Sequence, residues 1–298
     1  MKAMTIASSQ YQAKNKFDSD NKQIEWEMNW EPFKECLATD YVFIPLEKQI
    51  AAANDSTMAT AIEKLINLRP GKTTNIWIGT PSIHSTNAWS GYTAAQLTQF
   101  VKNVYARLST TARSKIAGVY MNQESIYGNM DYNNVLGGTL DANNQIKIMK
   151  QVRDFVKTGA VHGTKFMWCP YYGYGSNAAT IIKKIGHVAD KVQIFDYVIL
   201  QPHTIFDAEA SKGNLNGVRS SVERNKVCYR DNVNVIASKV STTEIGYEME
   251  FVDASGYDVP FSEYENTFKA FKNRPWMFYW QMYQCNPYNA VKKINSWV

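Results

Sequence analysis

Three glutamates stand near the ends of apolar segments, where a carboxyl group is costly to bury unless it is paired or functional. Glu124 follows the apolar run that begins at Gly118, while Glu248 and Glu250 lie late in the run that begins at Thr243. Because Glu248 and Glu250 are two residues apart, the alternation of a β-strand predicts that they share one face. Two like charges this close raise the pKa of at least one of the carboxyl groups, which suits proton transfer.

Two carboxyl groups that face each other across a cleft can cleave a glycosidic bond, because one protonates the leaving oxygen while the other attacks the anomeric carbon or activates water. We expect Glu124 to be the general acid/base. Glu250 is the first candidate for the nucleophile or base because it lies nearest the end of its strand, and Glu248 is the second. The alternatives are a salt bridge at Glu124 and a solvated strand edge at Glu248 and Glu250. Retention and inversion both stay open, since sequence spacing does not determine the separation of the carboxyl groups.

Polar and aromatic residues that follow other apolar runs are candidates for binding a sugar. They are Asn122, Tyr171, Tyr172, Gln201, His203 and Trp280. Aromatic residues make up 13% of the chain, an excess that either fills a core or lines a cleft where sugar rings stack. Packing in the core is the alternative for Trp280, and a structural role is the alternative for His203. The segment from Ser125 to Leu140 is longer than a connection requires and is expected to cover a substrate.

Short runs rich in β-branched and aromatic residues predict the strands that would carry these side chains. They are residues 3–8, 41–46, 75–80, 116–123, 165–171, 195–202, 243–251 and 276–282. Segments of helical periodicity lie between or after them, at residues 56–68, 93–108, 141–157, 177–190, 215–230, 262–273 and 287–297. Thr93 and Gln96 predict a capping box for the second helix, and Pro70-Gly71 is expected to end the first. For residues 20–38 a helical assignment competes with an alternating pattern.

The alternation of strands and helices predicts an α/β fold, a (β/α)8 TIM barrel in which a single catalytic domain spans residues 1–298. An open doubly wound sheet is the alternative, but the G-x-G-x-x-G turn that it commonly carries after its first strand is missing. Active sites of TIM barrels lie at the carboxyl ends of the strands, which is where Glu124, Glu248 and Glu250 are predicted.

Composition and charge argue against several classes of function. The net charge of +5 is scattered, so we expect no nucleic-acid partner. No apolar run reaches the roughly 18 residues of a membrane-spanning helix, so we expect no membrane insertion. No signal peptide is visible, which leaves a non-Sec route of export or action at the cell wall open. We expect no metal and no organic cofactor, because the cysteines and histidines lack ligand spacing and two carboxylates suffice for glycosidic cleavage.

Four segments carry a resemblance to a known family. They are residues 120–124, 168–173, 195–202 and 246–251. They resemble a bacterial family of uncharacterised glycoside-hydrolase-like TIM barrels, and the placement of an acid on strand four and a nucleophile on strand seven resembles the clan-A glycoside hydrolases. Asn122-Gln123-Glu124 is similar to the Asn-Glu signature of that clan, with one residue inserted. The resemblance implies a sugar-cleaving site that contains Glu124 with Glu248 or Glu250.

The expected function is therefore hydrolysis of a polysaccharide by two glutamates. A bacterial cell-wall glycan such as peptidoglycan is the favoured substrate, because a positive protein suits an anionic polymer and no leader is visible. A catalytically inactive TIM barrel that binds glycans or a protein partner is the alternative. A third hypothesis is a thiol enzyme that uses Cys169 together with His203.

Overall fold

The computed structural model describes residues 3–8, 30–45, 55–85, 88–89, 92–171, 178–201, 243–251, 275–280 and 286–298. For residues 3–8, 84–85, 88–89, 178–179, 190–191, 250–251 and 280 it describes the backbone alone. The predicted helices at residues 215–230 and 262–273 lie outside the described residues.

Eight strands of the described residues form one parallel sheet. They are β1 (Ala3–Ser8), β2 (Asp40–Ile44), β3 (Asn75–Gly79), β4 (Ile116–Met121), β5 (Lys165–Trp168), β6 (Tyr197–Leu200), β7 (Glu244–Phe251) and β8 (Trp276–Trp280). The sheet curls, since β1 pairs with both β8 and β2, and the order of neighbours is β1-β8-β7-β6-β5-β4-β3-β2. All eight predicted strands are confirmed at their places in the chain.

Helices lie between successive strands from β2 to β6 and after β8 in the described residues. The described helices are α1 (Asp55–Leu68), α2 (Ala94–Arg107), α3 (Thr110–Arg113), α4 (Asp141–Lys157), α5 (Ala178–His187) and α6 (Pro287–Trp297). The capping box is confirmed, because the Thr93 hydroxyl accepts the backbone N–H of Gln96 and the Gln96 side chain accepts the N–H of Thr93. Helix α1 ends just before Pro70-Gly71, where Gly71 has a φ of 73°. Within residues 20–38 the structure describes a short 3-10 helix, Glu31–Glu35.

Strands β4 and β5 end earlier than their apolar runs predict, as β2, β3 and β6 also do by one or two residues. Strand β4 ends at Met121 rather than at residue 123, because the backbone N–H of Gln123 donates to the Met121 carbonyl at 2.9 Å and turns the chain. Strand β5 ends at Trp168, two residues before Pro170, which has no N–H to donate to a neighbouring strand. Both early ends fall at the carboxyl edge of the sheet, where the predicted site residues lie.

The buried side chains form two layers, one between the sheet and the helices and one inside the curled sheet. The inner layer includes Trp77, Tyr120, Cys169 and Tyr197. Gly118 makes room for this layer, because a Cβ atom there would lie 2.9 Å from the Trp77 ring and 2.1 Å from a backbone carbonyl of β5. The inner layer thus supports, from below, the residues at the carboxyl ends of the strands.

The described residues define an α/β architecture of the TIM-barrel type. The complete (β/α)8 arrangement and the single-domain organisation over residues 1–298 stay predictions, because residues 202–242 and 252–274 lie outside the described residues. Among the helices that are described, none has the length and apolar character needed to cross a membrane.

Candidate active site

Glu124 lies in the connection that follows β4, and its side chain is exposed. Its backbone carbonyl accepts a hydrogen bond from the N–H of Tyr171 at 2.7 Å, which ties the end of β4 to the segment that follows β5. Asn122 is half-buried, and its backbone N–H donates to Thr80 Oγ1 at 3.2 Å. Glu124 is therefore an accessible carboxyl group on a backbone that neighbouring strands hold in place.

Glu248 lies within the curled sheet and is only 1% exposed. The Cys169 thiol donates to Glu248 Oε2, with the two atoms 3.3 Å apart. The register of the sheet places Glu248 beside Met277 of β8, in the interior that also holds Cys169. The solvated strand edge that was the alternative for this residue is wrong, since Glu248 is buried inside the molecule.

Tyr120 of β4 packs in the same buried cluster as Cys169 and is 4% exposed. Burial raises the pKa of its phenol well above the usual value, and the neighbouring Cys169 raises this pKa further. Glu248 and Glu124 act in the same direction on the same pKa. Both carboxyl groups therefore lie within electrostatic range of a single phenol that stays protonated at neutral pH.

The segment that follows β5 touches both glutamates. Cys169 contacts the Glu248 side chain, and two residues later the Tyr171 backbone contacts Glu124. Tyr171 also forms an isolated parallel bridge with Gln201, whose N–H donates to the Pro170 carbonyl at 2.9 Å. The structure thus brings together Glu124, Glu248, Tyr171 and Gln201 at the carboxyl ends of β4 to β7.

Other predicted site residues are placed less fully. The backbone of Glu250 lies opposite Tyr279 of β8, one step beyond Glu248 toward the carboxyl end of the sheet, and that of Trp280 lies opposite Phe251. Their side chains, together with the whole of Tyr172 and His203, lie outside the described residues.

Sequence reasoning missed Gln123, the residue between Asn122 and Glu124. Gln123 is 2% exposed, and its side chain accepts the Ser82 hydroxyl at 2.9 Å and donates to the Ser125 carbonyl at 2.8 Å. The sequence did indicate this residue, because Gln123 is the one residue inserted relative to the Asn-Glu signature that the segment resembles.

The connection after Glu124 is tied to α4 by two buried amide side chains. Asn143 accepts the backbone N–H of Asp131 and donates to the Val135 carbonyl, at 2.9 and 2.8 Å. Gln145 accepts the Tyr127 N–H at 3.2 Å and donates to the Tyr127 carbonyl at 3.0 Å. These contacts order the segment against the helix, and its expected role in covering a substrate stays a prediction.

A metal centre needs several clustered ligands. No group of three or more histidine, cysteine or acidic side chains stands together in the part of the chain that the structure describes. The described part of the site contains carboxyl, thiol, phenol and amide groups.

A curled parallel sheet with acidic groups at its carboxyl edge belongs to the class of TIM-barrel folds that many enzymes share. No protein-family model matches the sequence, and no curated protein matches it. Solved structures do match it. Endo-glycoceramidase II from Rhodococcus sp. matches with a TM-score of 0.53 and 9% identity over 94% of this chain and 73% of that one.

A GH5_18 protein from Streptomyces cattleya, solved in complex with Manb1-4GlcNAc, matches with a TM-score of 0.53 and 10% identity over 90% of this chain and 74% of the other. The N-terminal domain of a putative aldolase from Bacteroides vulgatus matches with a TM-score of 0.51 and 10% identity over 100% and 85%. The fold is thus the TIM-barrel fold that the resemblance implied. Because an aldolase domain shares it, the fold alone does not assign a reaction.

Proposed function

We propose that the protein is a glycoside hydrolase that cleaves a polysaccharide with two glutamates, on a complete (β/α)8 barrel that forms a single domain. The observation that carries this proposal is the contact of one short segment, residues 169–171, with both Glu124 and Glu248. These residues join the backbone at Glu124 to the side chain of Glu248, which precedes Glu250 by two residues on β7. Likeness to two carbohydrate-processing barrels supports the same class of substrate.

In this proposal Glu124 donates its proton to the glycosidic oxygen as the bond to the anomeric carbon breaks. Glu250 supplies the second carboxylate, which either attacks the anomeric carbon or takes a proton from the attacking water. The exposure of Glu124 suits a group that must meet a polymer. Because Glu248 is 1% exposed, we assign the role of nucleophile or base to Glu250. Glu248 would act on Glu250 only electrostatically, from the interior of the sheet.

The remaining candidates have binding roles in this proposal. Tyr171 and Gln201, which are bridged at the ends of β5 and β6, would hold sugar hydroxyls. Asn122, Tyr172, His203 and Trp280 complete the proposed subsites. The favoured polymer is a bacterial cell-wall glycan, since the net charge of +5 suits an anionic wall.

Aldol chemistry is a further alternative, because one matching structure is a domain of a putative aldolase. An aldolase that forms a Schiff base needs a lysine in its site. The buried side chains among the described residues include no lysine, whereas they do include Glu248. Glycosidic cleavage therefore fits the described site better than Schiff-base chemistry does.

A barrel that binds glycans without cleaving them is the second candidate. It is favoured by the burial of Glu248, because a carboxylate that is 1% exposed inside the sheet does not meet a polymer directly. In this reading the carboxyl edge binds sugars or a protein partner through Glu124 and Tyr171.

The deciding experiment measures reducing-sugar release from peptidoglycan, chitin, cellulose, xylan and mannan by the wild type and by Glu124→Gln and Glu250→Gln. We expect release to fall by about a hundredfold or more in each variant, the usual contribution of acid–base groups. Glu244→Gln is the matched control, because Glu244 is exposed at the opposite end of β7. Release that is equal in wild type and Glu124→Gln would reject the acid role. Glycan binding without release from any polymer would establish the binding barrel instead.

A further inference from the structure

Gln123 occupies a turn that separates β4 from Glu124. Its backbone N–H donates to the Met121 carbonyl at 2.9 Å, so the chain leaves the strand direction just before the candidate acid. The side chain is 2% exposed and points into the protein, whereas the next side chain, that of Glu124, is exposed. The inserted residue thus converts a strand end into a bend that presents Glu124 outward.

Both the oxygen and the nitrogen of the Gln123 side-chain amide form hydrogen bonds. Its Oε1 accepts the Ser82 hydroxyl at 2.9 Å, and its Nε2 donates to the Ser125 carbonyl at 2.8 Å. Ser82 follows β3 and Ser125 follows Glu124, so the amide joins the neighbouring strand to the far side of the candidate acid. A buried amide with both ends bonded is a rigid link, since breaking either bond leaves a desolvated polar group.

The backbone around Glu124 is held at three successive carbonyls. The Gln123 carbonyl accepts the indole N–H of Trp168 at 2.6 Å, and the Glu124 carbonyl accepts the Tyr171 N–H at 2.7 Å. The Ser125 carbonyl accepts the Gln123 amide. Fixing the peptide groups on both sides of Glu124 fixes the direction of its Cα–Cβ bond.

The donor Trp168 is itself rigid. Its side chain is fully buried and stacks on Phe195 with 5.1 Å between the ring centroids. Trp168 therefore acts in the structure as an anchor for the Gln123 carbonyl, with its ring packed in the layer between sheet and helices.

We infer that Gln123 is a positioning residue that holds the Glu124 carboxyl at the leaving oxygen of the substrate. The inference rests on the proposed function, because it assigns to Gln123 the task of aiming the proposed acid. It also explains why this chain carries a residue between Asn122 and Glu124, where the clan signature that it resembles has none. A misplacement of about 1 Å in an acid can reduce the rate by about a hundredfold.

The test uses leaving groups that differ in their need for an acid. A dinitrophenyl glycoside leaves without protonation, whereas the methyl glycoside of the same sugar needs a proton from the enzyme. We expect Gln123→Met to lower kcat on the methyl glycoside by about 10- to 100-fold, with KM changed less than about threefold and the dinitrophenyl glycoside turned over at nearly the wild-type rate. The sugar is the one that the polysaccharide panel identifies.

Gln145→Met is the matched control. Gln145 is also a fully buried glutamine whose amide holds the same connection, but its partners are Tyr127 and Asp141 rather than the neighbours of Glu124. If Gln123 were merely structural, both variants would lose kcat equally on both glycosides, in proportion to lost folded protein. Such an equal loss overturns the inference.

Ser82→Ala is the milder second variant, for use if Gln123→Met does not fold. It removes the donor to Gln123 Oε1, and we expect a loss of about threefold to tenfold that is confined to the methyl glycoside. One contrary outcome is that the wild type cleaves the polymer and loses activity in Glu124→Gln, while Gln123→Met and Ser82→Ala each affect the methyl and the dinitrophenyl glycosides equally. That result overturns this inference and leaves the proposed function standing. A wild type that releases no sugar overturns the proposed function and the inference together.

Discussion

The two ends of the curled sheet bury polar groups in different ways. At the amino end, Arg69 is 4% exposed, and its guanidinium donates to the carbonyls of Phe33, Cys36 and Ala38. Its Nε donates to Thr74 Oγ1 at 3.1 Å. The rigid guanidinium of Arg69 thus holds together the loops that precede β2 and β3, and we call this arrangement a structural clamp.

At the carboxyl end the buried polar groups include a carboxyl group, a thiol and a phenol, which can exchange protons. The Glu248 carboxylate accepts a thiol hydrogen bond from Cys169, and a thiol is a weak donor. Burial raises the pKa of the Tyr120 phenol, and Cys169, Glu248 and Glu124 raise it further. In this family of folds the two ends have separate tasks, stability at one and chemistry at the other. The contrast predicts that variants at the amino end change stability, while variants at the carboxyl end change activity more than stability.

The largest effect on stability is expected for Arg69→Met. Several buried carbonyls lose their donor, and each unsatisfied group costs about 1–3 kcal/mol, so the free energy of unfolding should fall by about 3 kcal/mol or more. Urea denaturation followed by circular dichroism measures this change. Sugar release per folded molecule should stay at the wild-type level. Arg69→Lys keeps the charge but loses the guanidinium, and a loss below about 1 kcal/mol in both variants would contradict the clamp.

An opposite result is expected for Glu248→Gln. A neutral amide costs less to bury than a carboxylate, so the free energy of unfolding should rise or change by less than about 1 kcal/mol. Sugar release should nevertheless fall by about tenfold or more, because the variant lacks the buried charge that Glu248 supplies beside the proposed catalytic groups. A stability loss above about 2 kcal/mol with full activity would make Glu248 a structural residue.

Cys169→Ala separates the thiol from the carboxylate. Removing the donor to Glu248 should lower the free energy of unfolding by about 1 kcal/mol, because the carboxylate remains buried. Retained sugar release in this variant would exclude the thiol-enzyme hypothesis, whereas complete loss of turnover in a folded protein would support it. Cys36→Ala is the control at the amino end, where the thiol is also buried.

The smallest effect concerns alkaline pH. Burial raises the pKa of Tyr41 at the amino end and of Tyr120 at the carboxyl end above the usual value of about 10. Since a tyrosine in the unfolded chain ionises near pH 10 while the buried phenol stays neutral, stability is fully present below about pH 10 and is lost as pH rises further. Thermal melting between neutral pH and about pH 11 checks this trend. Tyr41→Phe should reduce the loss, and an unchanged melting temperature across this range would contradict it.

Local patterns predicted much of the fold. Helices α4 and α6 begin and end at the predicted residues, because an amphipathic period and a Pro or acidic residue in the first turn are properties of the helix itself. The ends of β4 and β5 were not predictable in this way. A turn at Gln123 and the arrival of Pro170 stop pairing within runs that are still apolar.

The candidate site likewise contains residues that local patterns predicted and residues that they did not. Glu124 was recognisable because a carboxyl group follows an apolar strand. The burial of Glu248 was not predictable in this way, because every residue from Ile245 to Met249 is buried and alternation does not single it out. Gln123 and Arg69 were missed, because the two long-range partners of Gln123 are 41 and 45 residues away in sequence and the three backbone carbonyls before β2 that Arg69 contacts are more than 30 residues away. Partnerships over such separations leave no local pattern.

The sequence by itself determined which residue types alternate, where helices are capped and which strands carry carboxyl groups, because each of these depends on neighbours within a few positions. Only the tertiary structure decided that Glu248 lies inside the sheet against Cys169 and that the segment 169–171 also holds Glu124. The physical reason is that burial and hydrogen bonding across a curled sheet depend on which strands become neighbours. That choice is made by the packing of the whole chain, not by any one segment of it.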